Sequence, residues 1–399
     1  MTSAESRLVG LACAAGLLAS LFSCGGGSRN SPGPSTGSNV QSLVVNAGPD
    51  LNYANGVFTT VTVCVPGSST CQSINGVLVD TGSFGLRVLS SALGSLVGAL
   101  PQQKDVNGNA VVECAQFVSS VIWGPVKTAD VQMAGEHANS IPIQVIDATA
   151  APIPSACKAI GPAEETLSSL GANGILGVGF FAEDCGNSCT VANSQNPGFY
   201  YSCAGSNCQI IGESLPEQVQ NPVAFFADDN GVMLQFPAVP NAAPSVNGSL
   251  IFGIGTQDNN ALGSAQIFSP DKFGNLATSF RGKSYPSFLD SGSNAYFFLS
   301  SSATGLPNCG SSASGFYCPS SSVDLSATIS GGAGSNTMSF SIGNASQLFA
   351  NTRNFVFPTL GGPNPGLFDW GLPFFYGRTV FVAIEGRQTP AGPGPYWAY

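Results

Sequence analysis

The sequence predicts an all-β fold, on three observations. Charged side chains are scarce: 12 Lys and Arg plus 22 Asp and Glu make 9% of 399 residues, against ~25% in an average globular protein. Coiled coils and long surface helices need such side chains on their wet faces, so both are excluded. Gly and Pro number 50 and 27, and they punctuate short strands and tight turns. Apolar and polar residues alternate at strand spacing in many short runs, and no window carries a helical apolar stripe with a charged opposite face. A hydrophobic fraction of 43% with 26 Phe supplies a large core, enough for two domains or one large β unit.

The same composition excludes functions. A net charge of −10 leaves no basic surface to meet phosphates, so no nucleic-acid partner is expected. The single histidine, His137, excludes zinc sites built on two or three imidazoles. A Ser-His-Asp triad could use only that residue. No metal and no organic cofactor is expected.

In chain order, residues 8–22 form a 15-residue apolar run after Arg7. A membrane-spanning helix needs ~20 residues, so the run reads as the core of a secretory signal. It ends in Leu21-Phe22-Ser23-Cys24, which resembles the lipobox of bacterial lipoproteins. The resemblance implies removal of residues 1–23 and lipidation of Cys24. Residues 24–42 are rich in Gly, Ser and Pro and read as a flexible tether. A globular body held at a membrane through its lipid anchor alone is expected. Gly25 does not resemble the Asp retention signal of inner-membrane lipoproteins, so the outer membrane is favoured within the cell envelope.

Export agrees with the cysteines. Of twelve, Cys13 leaves with the signal and Cys24 takes the lipid. The remaining ten allow up to five disulfides in an oxidising compartment. Cys64 with Cys71, and Cys309 with Cys318, would each close a short loop. Cys185, Cys189, Cys203 and Cys208 have a loose zinc-like spacing, but disulfides are the expected state in an exported chain.

Strands are expected over residues 58–65, 114–126, 129–133, 140–147, 248–255, 337–343 and 378–384. Residues 90–100 and 213–226 are modest helix candidates. Glu136-His137 reads as a solvent-facing turn. Asp228 to Gly231 offers calcium-like oxygens but reads first as a β-turn. The Gly/Pro-rich end, residues 391–399, would pack across a sheet edge or remain loose.

One long-range repeat stands out. GVLVDTGSFGLRV at residues 76–88 and PSFLDSGSNAYFF at residues 286–298 share a pattern. In each, an apolar strand runs into Asp80 or Asp290. A small hydroxyl residue follows (Thr81, Ser291), then a glycine that allows a tight turn (Gly82, Gly292). Ser83 or Ser293 can then bond back to the carboxylate. Two such loops facing each other would bring two carboxyls together, and like charges at that range share one proton. The ionised member can activate water while the protonated member polarises a carbonyl.

With these motifs the chain resembles the pepsin-like aspartic peptidases, and in particular uncharacterised bacterial lipoproteins distantly similar to pepsin. Residues 172–180, ANGILGVGF, are similar to the family's D-G-I-L-G-L segment, with Asn173 in place of Asp. Residues 247–255 are similar to its G-x-L-x-F-G-G strand. Residues 368–386 are similar to its W-x-L-G-D-x-F block, with Gly371, Phe374, Phe375 and Val380 at matching places. The resemblance implies two β lobes, residues 43–262 and 263–399, with a Cys-rich insertion at 183–211 and an interlobe cleft for a polypeptide. Asp80 and Asp290 would be catalytic. Thr81 and Ser291 would bond across the lobes, and Ser83 and Ser293 would orient the carboxylates.

Two departures stand out. The family's flap carries Tyr-Gly-x-Gly, where this chain has Phe117-Val118-Ser119-Ser120. Arg87 stands where the family has Trp; pointed at the cleft, it would favour the doubly ionised pair. The leading reading is a membrane-anchored envelope aspartic endopeptidase. Its rival is a non-catalytic surface lipoprotein that binds polypeptide or glycan in the same cleft. A glycosidase using two carboxylates is a weaker third. Oligomeric state is not legible.

Overall fold

A computed structural model describes residues 37–399. The signal segment 1–23, Cys24 and tether residues 24–36 lie outside the described residues. The described chain is all-β: 24 strands joined by turns, with helices of only three or four residues. It forms a 15-stranded sheet, a seven-stranded sheet and a two-stranded ribbon.

Six strands of the larger sheet close into a barrel. Their order is Val121–Met133, Glu136–Ile146, Phe84–Leu89, Gly174–Val178, Cys71–Asp80 and Gly56–Cys64, and the last pairs back onto the first, Thr62 opposite Gln132. The β-branched run of Gly56–Cys64 shows why: Val57, Val61 and Val63 are fully buried and Thr60 alone is exposed, as one packed face of a pleated strand requires. From Gly56–Cys64 the sheet continues through Val40–Asn46, Val246–Phe252, Gly231–Gln235, Thr379–Ala383, Tyr396–Ala398 and Ile267–Phe268.

The smaller sheet runs in the order Gly334–Ile342, Val323–Gly331, Leu276–Phe280, Lys283–Leu289, Asn364–Trp370, Tyr296–Leu299 and Gly361–Gly362. Stacked and edge-on rings fill its core. Phe298 and Phe368 lie 4.9 Å apart and Phe340 and Trp370 5.1 Å apart, centroid to centroid. Such pairs contribute about 0.5–1.5 kcal/mol each beyond area burial.

Several boundaries differ from the expectation. Residues 40–42, expected in the tether, are strand: Val40–Asn46 pairs with Val246–Phe252 and buries Leu43 and Val45. The strand expected over 114–126 is two. Ala110–Gln116 turns back at residues 117–120 into Val121–Met133, with Phe117 N donating to Ser120 O at 2.9 Å. The helix expected over 90–100 is two single turns, Ser90–Leu93 and Leu96–Ala99, parted by Gly94 at φ 57°. Residues 213–226 hold two 3-10 turns, Leu215–Glu217 and Pro222–Phe225, each with proline in its first turn. Thr379–Ala383 and Tyr396–Ala398, expected in the second lobe, pair into the larger sheet, where Val380, Val382 and Trp397 are buried. The chain end is therefore strand, not loose.

Glu136 is no solvent residue: it is buried at the start of Glu136–Ile146 and accepts from Ala227 N at 2.8 Å. His137 beside it is exposed.

All ten cysteines after residue 37 are paired. Cys64–Cys71 and Cys309–Cys318 close their short loops; Cys185–Cys189, Cys203–Cys208 and Cys114–Cys157 complete the set. The segment 183–211 adds a hairpin, Tyr200–Ala204 with Asn207–Ile210, to the free edge of Ala110–Gln116.

The repeat seen in the sequence is also a repeat of topology. Cys71–Asp80 lies parallel to Gly174–Val178, which lies antiparallel to Phe84–Leu89. Lys283–Leu289 lies parallel to Asn364–Trp370, which lies antiparallel to Tyr296–Leu299. The registers superpose. Ile175 stands opposite Leu78 and Arg87, as Asp369 stands opposite Phe288 and Phe297.

Candidate active site

The two Asp loops meet face to face. Thr81 N donates to Ser291 Oγ at 3.1 Å, and Ser291 N donates to Thr81 Oγ1 at 2.9 Å. Each hydroxyl then donates to the strand before the opposite loop: Thr81 to Leu289 O at 3.0 Å, Ser291 to Val79 O at 2.8 Å. Four hydrogen bonds buried this way leave no polar atom of the crossing unpaired, which the dry setting demands.

The glycines let the carboxyls approach. A Cβ on Gly82 would fall 2.8 Å from Asp290 Cγ, and one on Gly292 would fall 2.7 Å from Asp80 Cγ. Any side chain at either position would therefore displace the opposite carboxyl. Asp80 Oδ1 accepts from Gly82 N, and Asp290 Oδ1 accepts from Gly292 N, both at 2.7 Å. Burial pushes the Asp290 carboxyl well above the usual range, and the charges of Asp80 and Asp369 push it further.

The two loops part at their serines. Ser293 Oγ lies 2.9 Å from Asp290 Oδ2, as expected of a residue that orients the carboxylate. Ser83 does not do this. Its Oγ is buried with no hydrogen-bond partner, so the orienting role expected for it is corrected. Ser293 also meets Asp369 Oδ2, at 2.6 Å.

Asp369 went unnoticed in the sequence reading. It is 5% exposed, and its Oδ1 is buried without a partner. Burial pushes it well above the usual carboxylate range. One signal was available: an acid inside the apolar run Leu367-Phe368-Asp369-Trp370-Gly371-Leu372 must be buried and must find company.

Arg87 does not point at the paired aspartates. It is 2% exposed and bonds Glu113 at 2.6 Å and Asp184 at 2.8 Å. Tyr200 Oη donates to the second oxygen of Asp184. Burial is the larger influence on Arg87 and acts against its charge, but the two carboxylates outweigh it and hold the guanidinium protonated. Burial and the Glu113 charge push Asp184 up. The cluster ties Phe84–Leu89, Ala110–Gln116 and the Cys-rich segment together. The expected effect of Arg87 on the dyad is thus corrected.

The flap candidates Phe117 and Val118 sit at the hairpin tip. Val118 is 83% exposed, and the Phe117 ring lies 6.0 Å from the Arg87 guanidinium. A cavity of about 730 Å³ opens beside the second loop, lined by Tyr53, Glu164 and Leu170 and by Asn294, Phe316 and Phe349. The Tyr53 phenol is pushed up by burial, then by the charges of Glu164, Asp80 and Asp290.

Among the described residues no group of three His, Cys, Asp or Glu is placed to hold a metal. The four cysteines of the zinc-like spacing are disulfides, and the turn at Asp228 is held by Asn230, whose amide bonds Ile254 O and Gln388 O. No helix among the described residues is long and apolar enough to cross a membrane.

Fold and site together describe an all-β protein built on a repeated strand–Asp–turn unit, with the two Asp loops bonded to each other and each carboxyl against the other loop's glycine. The chain belongs to the family of proteins of unknown function DUF3443, whose model matches residues 35–399. No curated protein matches the sequence.

Proposed function

We propose that the chain is a pepsin-like aspartic endopeptidase with Asp80 and Asp290 as its catalytic pair, anchored in the cell envelope through a lipidated Cys24. The observation that supports it best is reciprocity: each carboxyl rests against the other loop's glycine, and each loop's hydroxyl bonds the other loop. Two carboxyls held so cannot both ionise cheaply and share a proton. The ionised partner takes a proton from water as it attacks the peptide carbonyl, and the protonated partner donates toward the carbonyl oxygen. An extended polypeptide in the cavity beside Asn294 would be held partly by main-chain hydrogen bonds. The tip at Phe117-Val118 offers no phenol and no glycine, so any cover it gives the pair is apolar.

The test is cleavage of unfolded proteins by the purified chain from acidic to neutral pH. Wild type cleaves within a bell-shaped window. Asp80→Asn and Asp290→Asn each lose at least about 100-fold while keeping the wild-type circular dichroism spectrum. A folded wild type that cleaves nothing sinks the peptidase reading in favour of a polypeptide- or glycan-binding protein. The anchor is tested separately: Cys24→Ser should release the protein from membranes or accumulate uncleaved precursor, and wild-type fractionation would refute it.

A further inference from the structure

Ser293 has one hydroxyl proton and stands between two carboxyls. Its Oγ is 2.9 Å from Asp290 Oδ2 and 2.6 Å from Asp369 Oδ2. One hydrogen serves one of these contacts. Were both carboxyls ionised, the other contact would set lone pair against lone pair in a nearly dry site. A second proton therefore belongs on one of the two carboxyls.

The surroundings say which. Asp290 Oδ1 accepts from two backbone N–H groups, Gly292 at 2.7 Å and Ser293 at 3.2 Å, and such donors favour a carboxylate. Asp369 has no comparable support. Its Oδ1 is buried and unpartnered. The strands on either side place Phe288 and Phe297 opposite it. The charged groups it meets are Asp80 and Asp290, and no cation among the described residues is paired with it.

We propose that Asp369 is a positioning residue that acts as a protonated acid. It donates to Ser293 Oγ, Ser293 donates to Asp290 Oδ2, and the competent site holds two protons over three carboxyls. Burial, which pushes Asp369 well above the usual range, acts in the same direction. When Asp369 ionises, the Ser293 hydrogen turns toward it. Asp290 then loses a donor and gains a negative neighbour, so the site fails on the alkaline side by two linked ionisations rather than one. In the first half the equivalent position is Ile175, and Ser83 is left without a partner.

The kinetic consequence rests on the peptidase reading; the protonation does not, so two measurements on the full chain separate them. The first is the infrared difference spectrum of wild type minus Asp369→Asn at about pH 6, some two units above an ordinary Asp. A protonated-carboxyl band is expected, retained in Asp290→Asn. Its absence overturns the proposal whether or not the protein cleaves anything. Ser293→Ala should keep the band and shift its frequency, because the acid loses its acceptor; an unshifted band overturns the link through Ser293. The second is the pH profile of cleavage. Asp369→Asn, which can still donate to Ser293, should show an alkaline limb of one-proton slope reaching higher pH, with the acidic limb unmoved. A whole profile displaced to lower pH would mean that Asp369 works as a charge, and an unchanged slope would mean that it does not titrate; either overturns the proposal. A band without any cleavage overturns the peptidase reading and leaves the protonated acid standing.

Discussion

The loop at residues 80–83 and the loop at residues 290–293 make the same cross-bonds through Thr81 and Ser291 but have different neighbours. Behind the first stands Ile175, and Ser83 has nothing to bond. Behind the second stands Asp369, and Ser293 bonds both it and Asp290. The first half sets two of its buried carboxyls, those of Glu113 and Asp184, around Arg87. The second half buries Asp369 with no cation paired to it. A duplicated motif thus sets where two carboxyls meet. The residues packed behind each copy set which carboxyls hold protons.

That contrast can be broken by substitution. The largest effect on stability should come from Arg87→Met, which leaves Glu113 and Asp184 buried without their cation. A loss of about 3–5 kcal/mol is expected, read by urea unfolding. A loss below about 1 kcal/mol would place the cluster among ordinary surface pairs.

Gly82→Ala and Gly292→Ala come next. Each adds a Cβ under 3 Å from the opposite carboxyl carbon, 2.8 Å and 2.7 Å respectively. Overpacking of this kind costs about 1–3 kcal/mol, and both variants should lose cleavage. Markedly unequal losses would show that the two loops are not reciprocal.

The serines sharpen the comparison. Ser293→Ala should cost about 1–3 kcal/mol, because it strands a buried acid. Ser83→Ala should stay within about 0.5 kcal/mol, since its hydroxyl has no bond to lose. Equal costs would erase the asymmetry.

The smallest expected effect is on pH dependence. Asp290, Asp369 and Asp184 are raised in the folded chain, and burial brings Glu213 up to about 7. The folded state then binds more protons than the unfolded state above the ordinary carboxylate range, so stability falls as pH rises toward neutral. Half-buried carboxylates such as Asp105, lowered to about 2 by Ser202 and the Asn109 turn, contribute the opposite trend only at more acidic pH. Melting temperatures should decline from mildly acidic to neutral pH, and less so in Asp369→Asn. A rise over that interval contradicts the assignment.

Much of this architecture was legible in the chain. Sparse charge and frequent Gly and Pro implied β structure, because strands need neither charged wet faces nor long uninterrupted runs. The two copies of Asp-hydroxyl-Gly-Ser stood out because each is contiguous and its turn chemistry is local. Cys64–Cys71 and Cys309–Cys318 followed from separations of 7 and 9 residues. What failed involved distance. The extent of Val121–Met133 was missed because the turn at residues 117–120 carries no Gly, Pro, Asn or Asp to mark it, and because the polar Lys127-Thr128 interrupt the apolar run although the pairing continues through them.

The sequence by itself determined the strand class, the repeat, and which aspartates, hydroxyls and glycines stand in each loop. These depend on residues within a turn of one another. Only the tertiary structure decided that Ser293 meets Asp369, 76 residues on, that Arg87 meets Asp184, 97 residues on, and that Cys114 finds Cys157. It also decided that Ser83 meets nothing. Such partners are chosen by which strands share an edge and by which face each side chain takes, and a dry interior then makes their presence or absence count.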